Sequence, residues 1–276
     1  MTSGLMAGKR GLIMGLANDK SLAWGIAKAL REQGAELAIS YQGEVMAKRV
    51  KPLAEQLGCD FLIDCDVADM DNLDAAFAEL AARWPTIDFV VHAIGYTNKE
   101  ALRGKYCDVS LEDFLMTMNI SVFSFTAVAK RAAAMMPPHD PETGKGGGAM
   151  LTLSYYGAEK VVPHYNVMGV AKSALESSVK YLANDFGPAN IRVNAISAGP
   201  IRTLAASGIG DFRIIMKWNE LNSPLRRNVT IEDVGGSALY LLSDLSAGVT
   251  GETHHVDAGY HTVGMKQEDA PDIALA

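Results

Sequence analysis

Short, continuously apolar runs alternate along this chain with longer segments in which apolar residues recur every three or four positions. The runs Arg10 to Met14, Glu36 to Ser40, Asp60 to Ile63 and Asp88 to Ala93 have the length and continuity of strands covered on both faces. Between and after them, Leu22 to Gln33, Glu44 to Leu57, Asn72 to Arg83, Leu111 to Met136 and Tyr165 to Phe186 carry the helical period, and further strands are predicted at Ala149 to Ser154, Arg192 to Ser197 and Thr253 to Val256. Strand and helix alternate, so each crossover returns to a parallel neighbour. The expected product is one α/β domain over residues 1–276, a doubly wound parallel sheet of about seven strands with helices on both faces. Residues 1–7 and 266–276 are expected to be loosely held tails. The Pro- and Gly-rich stretch from Pro137 to Gly148 reads as an exposed loop.

Composition narrows the partners. With 276 residues, 49% of them hydrophobic, the chain can bury one sizeable core. A net charge of −7 repels phosphate backbones and anionic lipid, which argues against nucleic acid and membrane surfaces. The start of the chain lacks a signal-peptide apolar core and no apolar run approaches a bilayer span, so a cytoplasmic protein is expected. Cys59, Cys65 and Cys107 contain no Cys-x-x-Cys pair and read as reduced and structural. His254 and His255 are adjacent on a strand and face opposite sides, so no metal site is expected.

Candidate chemistry begins with Tyr165 and Lys172. Seven residues is nearly two helical turns, so on one helix the phenol and the ammonium share a face. An ammonium beside a phenol favours the phenolate and lowers the phenol pKa, giving a group that protonates or stabilises an oxyanion. The same spacing also occurs on ordinary amphipathic helices, so its surroundings decide. After the first strand, Gly15 gives a tight turn, Ser21 stands at an N-cap, and Gly25 permits close helix packing, leaving the positive end of a helix for a pyrophosphate. Gln42 follows the second strand, where ribose hydroxyls are held. No arginine comes directly after that strand to pair with a 2′-phosphate, which favours NADH over NADPH, with Lys48 and Arg49 the nearest cations. Asp66 suits either an adenine amino group or a polar strand end, and Gly95 either cofactor approach or a turn.

Taken together, Gly15 through Gly25, Asp66-Val67, His92-Ala-Ile-Gly95, Ser154-Tyr-Tyr-Gly157, Tyr165-Asn-Val-Met-Gly-Val-Ala-Lys172, Arg192 through Thr203 and Gly251 through Gly259 resemble the short-chain dehydrogenase/reductase superfamily. Within it they are similar to the bacterial NADH-dependent enoyl-acyl-carrier-protein reductases, over about residues 8 to 265. The most specific parts are Tyr-x6-Lys in place of Tyr-x3-Lys, with Gly169 where the shorter motif needs lysine, and the stretch Asn194 to Gly208. The resemblance implies cofactor contacts at Gly15, Ser21, Leu22, Gln42, Asp66, Val67, Ile94, Lys172, Ile201, Arg202, Thr203, Leu204 and Ala205. It places Tyr155 and Tyr165 on two active-site tyrosines and Thr97 at a substrate contact. Met168 reads as pocket wall. Ala93 and Thr97 depart from the family, which often has serine and alanine there. The reaction implied is hydride transfer to the β-carbon of a trans-2-enoyl thioester. Tyr165 would bond the thioester oxygen, and Lys172 the nicotinamide ribose. Tyr155 has two readings, a contact to substrate or proton path and a packed aromatic. A homotetramer is also implied.

Long acyl chains need an openable apolar cover, and residues 199–221 suit it, with Ile209, Phe212, Ile214, Ile215, Met216 and Trp218. Between Gly199 and Asn228 five cations (Arg202, Arg213, Lys217, Arg226, Arg227) face two acids (Asp211, Glu220), so the acidic carrier protein, or the phosphate of its phosphopantetheine, is expected to dock near Arg202, Arg213 and Lys217. Two other classes compete: a carbonyl reductase, which would want serine where Thr152 stands, with Ser154 nearby, and a nucleotide sensor without turnover.

Overall fold

The structure, a computed structural model, describes residues 4–271. Seven parallel strands form one sheet in the order β3-β2-β1-β4-β5-β6-β7: β1 Arg10–Met14, β2 Glu36–Tyr41, β3 Phe61–Asp64, β4 Phe89–His92, β5 Gly148–Ser154, β6 Ile191–Ala198 and β7 Thr253–Val256. The winding reverses between β1 and β4, which opens a crevice at their carboxyl ends. Strands β4 and β5 are buried almost throughout because helices cover both faces. One apolar cluster lies under α3 (Met70–Arg83), α5 (Ser124–Met135) and α6 (Asn166–Phe186); the other lies under α1 (Leu22–Glu32), α2 (Gly43–Gln56) and α8 (Ile231–Leu242).

Gly25 and Gly235 let α1 and α8 touch backbone to backbone. A Cβ at Gly25 would come within 2.3 Å of the Ile231 carbonyl, and one at Gly235 within 2.6 Å of Gly25 O. Helix α8 was not assigned from the apolar period, yet its start was written in Thr230-Ile-Glu-Asp233, which forms a reciprocal capping box.

The long helix expected from Leu111 to Met136 is interrupted. Helix α4 (Leu111–Met118) passes through a π-turn at Asn119–Phe123 before α5 begins. The apolar period continues through the turn, so the pattern cannot reveal it; side-chain bonds mark it. Ser121 Oγ donates to the Tyr96 carbonyl and accepts from the Tyr96 amide, both at 2.9 Å, and Ser124 Oγ donates to Ile120 O at 2.6 Å. The turn thus ties α4–α5 to the loop after β4.

The described parts of both chain ends differ from the loose tails expected. Met6 is fully buried and its amide bonds Gln33 O at 3.0 Å. Near the other end the Gln267 amide donates to Asn222 Oδ1 at 2.9 Å, Asp269 pairs with Arg226 at 3.1 Å, and Ala270 is buried. Residues 1–3 and 272–276 lie outside the described residues. No helix among the described residues is long and apolar enough to cross a membrane.

Candidate active site

The crevice is built first of backbone. Gly15 has φ +91, and a Cβ there would lie 2.1 Å from Ala93 O, so the ends of β1 and β4 meet where only glycine fits. Ser21 is the N-cap residue of α1, as expected, but its hydroxyl does not cap the helix. It accepts from the amides of Ala17 and Asn18 at 3.1 and 3.0 Å, folding the loop. The first-turn amides of α1 therefore lack a side-chain cap, which suits a pyrophosphate at the positive helix end. Leu22 is half-buried behind them. Gly15→Ala is expected to destabilise the fold by about 3 kcal/mol, through strain and the clash with Ala93, read as a lowered urea midpoint.

Gln42 and Asp66 are brought together at the ends of β2 and β3. Gln42 Nε2 donates to Asp66 Oδ2 at 2.8 Å, and Asp66 Oδ1 accepts from the Ala68 amide at 2.9 Å. Val67 points into the core, so only its backbone faces a ligand. Ile94 and Ile201 are half-buried, one against each apolar cluster. Arg202 and Leu204 are exposed; Thr203 Oγ1 accepts from the Ala206 amide at 3.1 Å. The Ala205 side chain lies outside the described residues.

Tyr165 is not inside the helix. It is the residue before α6, between two non-glycine residues of positive φ, His164 (+61) and Asn166 (+36). Such backbone is costly and persists only when its surroundings fix it. Asn166 Nδ2 reaches the carbonyls of Ala101, Arg103 and Gly104 at 3.3–3.5 Å, and His164 Nε2 lies 3.2 Å from Asp211 Oδ2. The Tyr165 ring packs edge-on against Tyr155, centroids 5.0 Å apart, and a Cβ at Gly157 would come within 2.4 Å of the Tyr165 ring.

Lys172, on α6 and buried, has one hydrogen-bond acceptor among the described residues, Leu153 O at 2.8 Å. An ammonium carries three donors, so two protons remain for other oxygens. A Cβ at Gly95 would sit 3.5 Å from Nζ, placing the ammonium at the crevice wall beside the loop after β4.

The electrostatics reverse one expectation. Lysine does not lower the Tyr165 phenol; burial pushes its pKa up, with Tyr155 and Glu176 adding to the shift, and burial likewise raises Tyr155. Lys172 is pushed down by burial to about 8. Burying both groups disfavours phenolate and ammonium alike, and the lysine directs its bond to Leu153. Tyr165 is accordingly a proton-bearing donor.

Thr97 is taken up by structure: its hydroxyl bonds Thr117 Oγ1 at 2.7 Å, tying the loop after β4 to α4. Met168 is buried in the cluster beside Tyr165, as wall. Thr152 donates to His92 O at 3.1 Å and also meets His92 Nδ1 at 3.2 Å, while Ser154 Oγ bonds Glu176. Both hydroxyls are thus committed to partners within the fold.

Residues 199–221 contain a short 3-10 turn, Ala205–Gly208, and all but the last residue of α7, Phe212–Asn222. The buried residues of α7 are Asn219 and Asn222, whereas Phe212, Ile214, Ile215 and Met216 are half-buried. That is the profile of a helix laid over a surface, rather than one threaded through a core. Trp218 Nε1 bonds Tyr260 Oη at 2.8 Å and the His164–Asp211 contact holds the other end. Of the five cations, Arg226 pairs with Asp269, Arg227 with Asp233 and Lys217 with Glu220, whereas Arg202 and Arg213 are exposed.

Comparison with known proteins identifies the family. Residues 15–261 match the family described as enoyl-(acyl carrier protein) reductase. An NADH-dependent enoyl-acyl-carrier-protein reductase of Rhizobium meliloti (strain 1021) is 64% identical over 273 residues, covering 99% of this chain and 97% of that protein. The enzyme of the same name from Escherichia coli (strain K12) is 50% identical over 265 residues, 96% and 98% of the two chains. The crystal structure of the enoyl-acyl-carrier-protein reductase of Anaplasma phagocytophilum in complex with NAD is 59% identical, with a TM-score of 0.91 over 99% of this chain and 100% of that one.

Proposed function

The chain belongs to the enoyl-acyl-carrier-protein reductase family, and from that premise we propose how its own residues carry the family's reaction. The protein is an NADH-dependent oxidoreductase that reduces the trans-2 double bond of enoyl-acyl-carrier-protein thioesters, the last step of fatty acid elongation.

The crevice fits a dinucleotide: Gly15 turns the chain tightly against the end of β4, and the α1 amides beyond it are uncapped. Gly15, Ser21 and Leu22 would line the pyrophosphate, and Gln42, Asp66 and Val67 the adenosine. Ile94, Lys172 and the run Ile201, Arg202, Thr203, Leu204 and Ala205 would line the nicotinamide half. NADH, when bound, supplies the hydride that reaches the substrate β-carbon. The two uncommitted protons of the Lys172 ammonium suit the vicinal hydroxyls of the ribose.

Tyr165 is the oxyanion donor. Negative charge moves onto the thioester oxygen as the β-carbon is reduced, and a buried, protonated phenol aimed there stabilises it without reorganising. The observation that carries this assignment is the turn before α6: two strained residues, the Tyr155 ring and Gly157 fix the phenol in one place. Tyr155 packs against Tyr165 and borders the substrate, with Met168 as wall; Thr97 contributes its position on the loop after β4 rather than its hydroxyl. Residues 199–221 form the acyl cover, and exposed Arg202, Arg213 and Lys217 form the docking face for the acidic carrier. A cytoplasmic homotetramer completes the reading; exposed Leu111, Leu115, Phe123 and Tyr181 on α4, the π-turn and α6 support subunit contacts, and light scattering measures the state.

The test is NADH oxidation with crotonyl thioester beside a panel of ketones and aldehydes. Enoyl turnover alone is expected; ketone turnover without it would identify a carbonyl reductase, and tight NADH binding without any turnover a sensor.

A further inference from the structure

Helix α6 grips the carboxyl end of β5 twice, through side chains one turn apart. Lys172 Nζ donates to the Leu153 carbonyl at 2.8 Å, and Glu176 accepts the hydroxyl hydrogen bond of the next residue, Ser154. Residues four apart on a helix share a face, so the carboxylate and the ammonium are neighbours along that edge. Their hydrogen bonds go to β5 rather than to each other, and Ser154 holds the carboxylate in place. Both groups lie in the protein rather than in water: Lys172 is buried and Glu176 is half-buried.

We propose that Glu176 is a positioning residue for the reaction, a carboxylate anchored by Ser154 that supplies the counter-charge for the Lys172 ammonium and fixes it at the end of β5. The inference rests on the reading of Lys172 as the ribose-binding group.

The groups facing this pair leave the role to Glu176. His92 on β4 is fully buried between Thr152 and Ser124 and is pushed down to about 3, so it is neutral and offers no charge. Tyr155 and Tyr165 are raised by burial and stay neutral. Glu159, in the turn after β5, is committed to His255 on β7 at 2.5 Å. Burial pushes the Glu176 carboxyl above its ordinary value and Glu159 adds to the rise, while the Ser154 hydroxyl bond, His255 and Lys180 pull it back toward the ionised form. Burial draws Lys172 down to about 8, and Glu176 is the charge that resists the fall. Without that charge the ammonium loses its proton at lower pH, and with one N–H still on Leu153 O the two donors left for the ribose become one weaker donor and one lone pair.

The experiment titrates NADH fluorescence against pH for the intact protein, E176Q, E176D and Lys172→Met. Wild-type affinity is expected to weaken as pH rises through about 8, where Lys172 deprotonates. E176Q keeps the shape and an acceptor for Ser154 but loses the charge. Its alkaline limb should move down by about one pH unit, an affinity loss of about fivefold near pH 8 with no loss near pH 6, while E176D follows wild type. An E176Q curve superimposed on wild type, or weakened equally at every pH, overturns the proposal. If E176Q does not fold, E176D, which keeps the charge, must retain the wild-type limb, and Ser154→Ala, which releases the anchored carboxylate, must move it down; a shifted limb in E176D or an unshifted one in Ser154→Ala overturns it. Lys172→Met with undiminished NADH affinity would instead overturn the reading of Lys172 itself, which separates the two failures.

Discussion

Tyr165→Phe is expected to lower kcat with crotonyl thioester by about 10²–10³, the cost of removing one preorganised oxyanion donor, with NADH affinity nearly unchanged. The substitution removes a single oxygen from a ring that packs edge-on against Tyr155 and lies over Gly157, so the fold has little reason to change. Because burial keeps the phenol protonated, its contribution is a hydrogen bond made strongest when charge reaches the thioester oxygen. KM for the thioester should therefore move far less than kcat, as for an interaction made mainly in the transition state. Stopped-flow kinetics with a parallel NADH titration checks both parts. A variant that lost NADH affinity and kept kcat would reverse the assigned roles.

Lys172→Met should do the opposite. Removing the ammonium leaves an unbranched apolar side chain of similar length in a buried site, and NADH affinity should fall about ten- to a hundredfold, the 1.5–3 kcal/mol of a hydrogen bond to a charged group. At saturating NADH, kcat should recover in large part, since the phenol's position is set by the turn before α6 and by its aromatic neighbour rather than by the lysine. A collapse of kcat that saturating NADH does not restore would mean that Lys172 also orients Tyr165.

The fold was legible because a parallel sheet writes each strand as an apolar run and each crossover as a helical period, from Arg10–Met14 through Thr253–Val256. What the period could not show was local. The apolar stripe runs on through the π-turn at Asn119–Phe123, and the bonds of Ser121 and Ser124 to Tyr96 and Ile120 mark it only in three dimensions. The spacing of Tyr165 and Lys172 implies one shared helical face, whereas a phenol just outside the helix, oriented by positive-φ neighbours, is invisible to a helical wheel. Its raised pKa follows from burial, which no spacing records. Nothing in the sequence marks Glu176, since a glutamate four residues after a lysine reads as an ordinary helix pair. Its bond to Ser154 across the sheet edge appears only in three dimensions.

The position of the transferred hydrogen tests the account most directly. With NADH deuterated at nicotinamide C4 and crotonyl thioester in ordinary water, the saturated product should carry deuterium on the β-carbon and a solvent proton on the α-carbon, at a rate that falls with Tyr165→Phe while the label stays in place. Deuterium on the α-carbon, or label recovered only in alcohols formed from ketones, would contradict it.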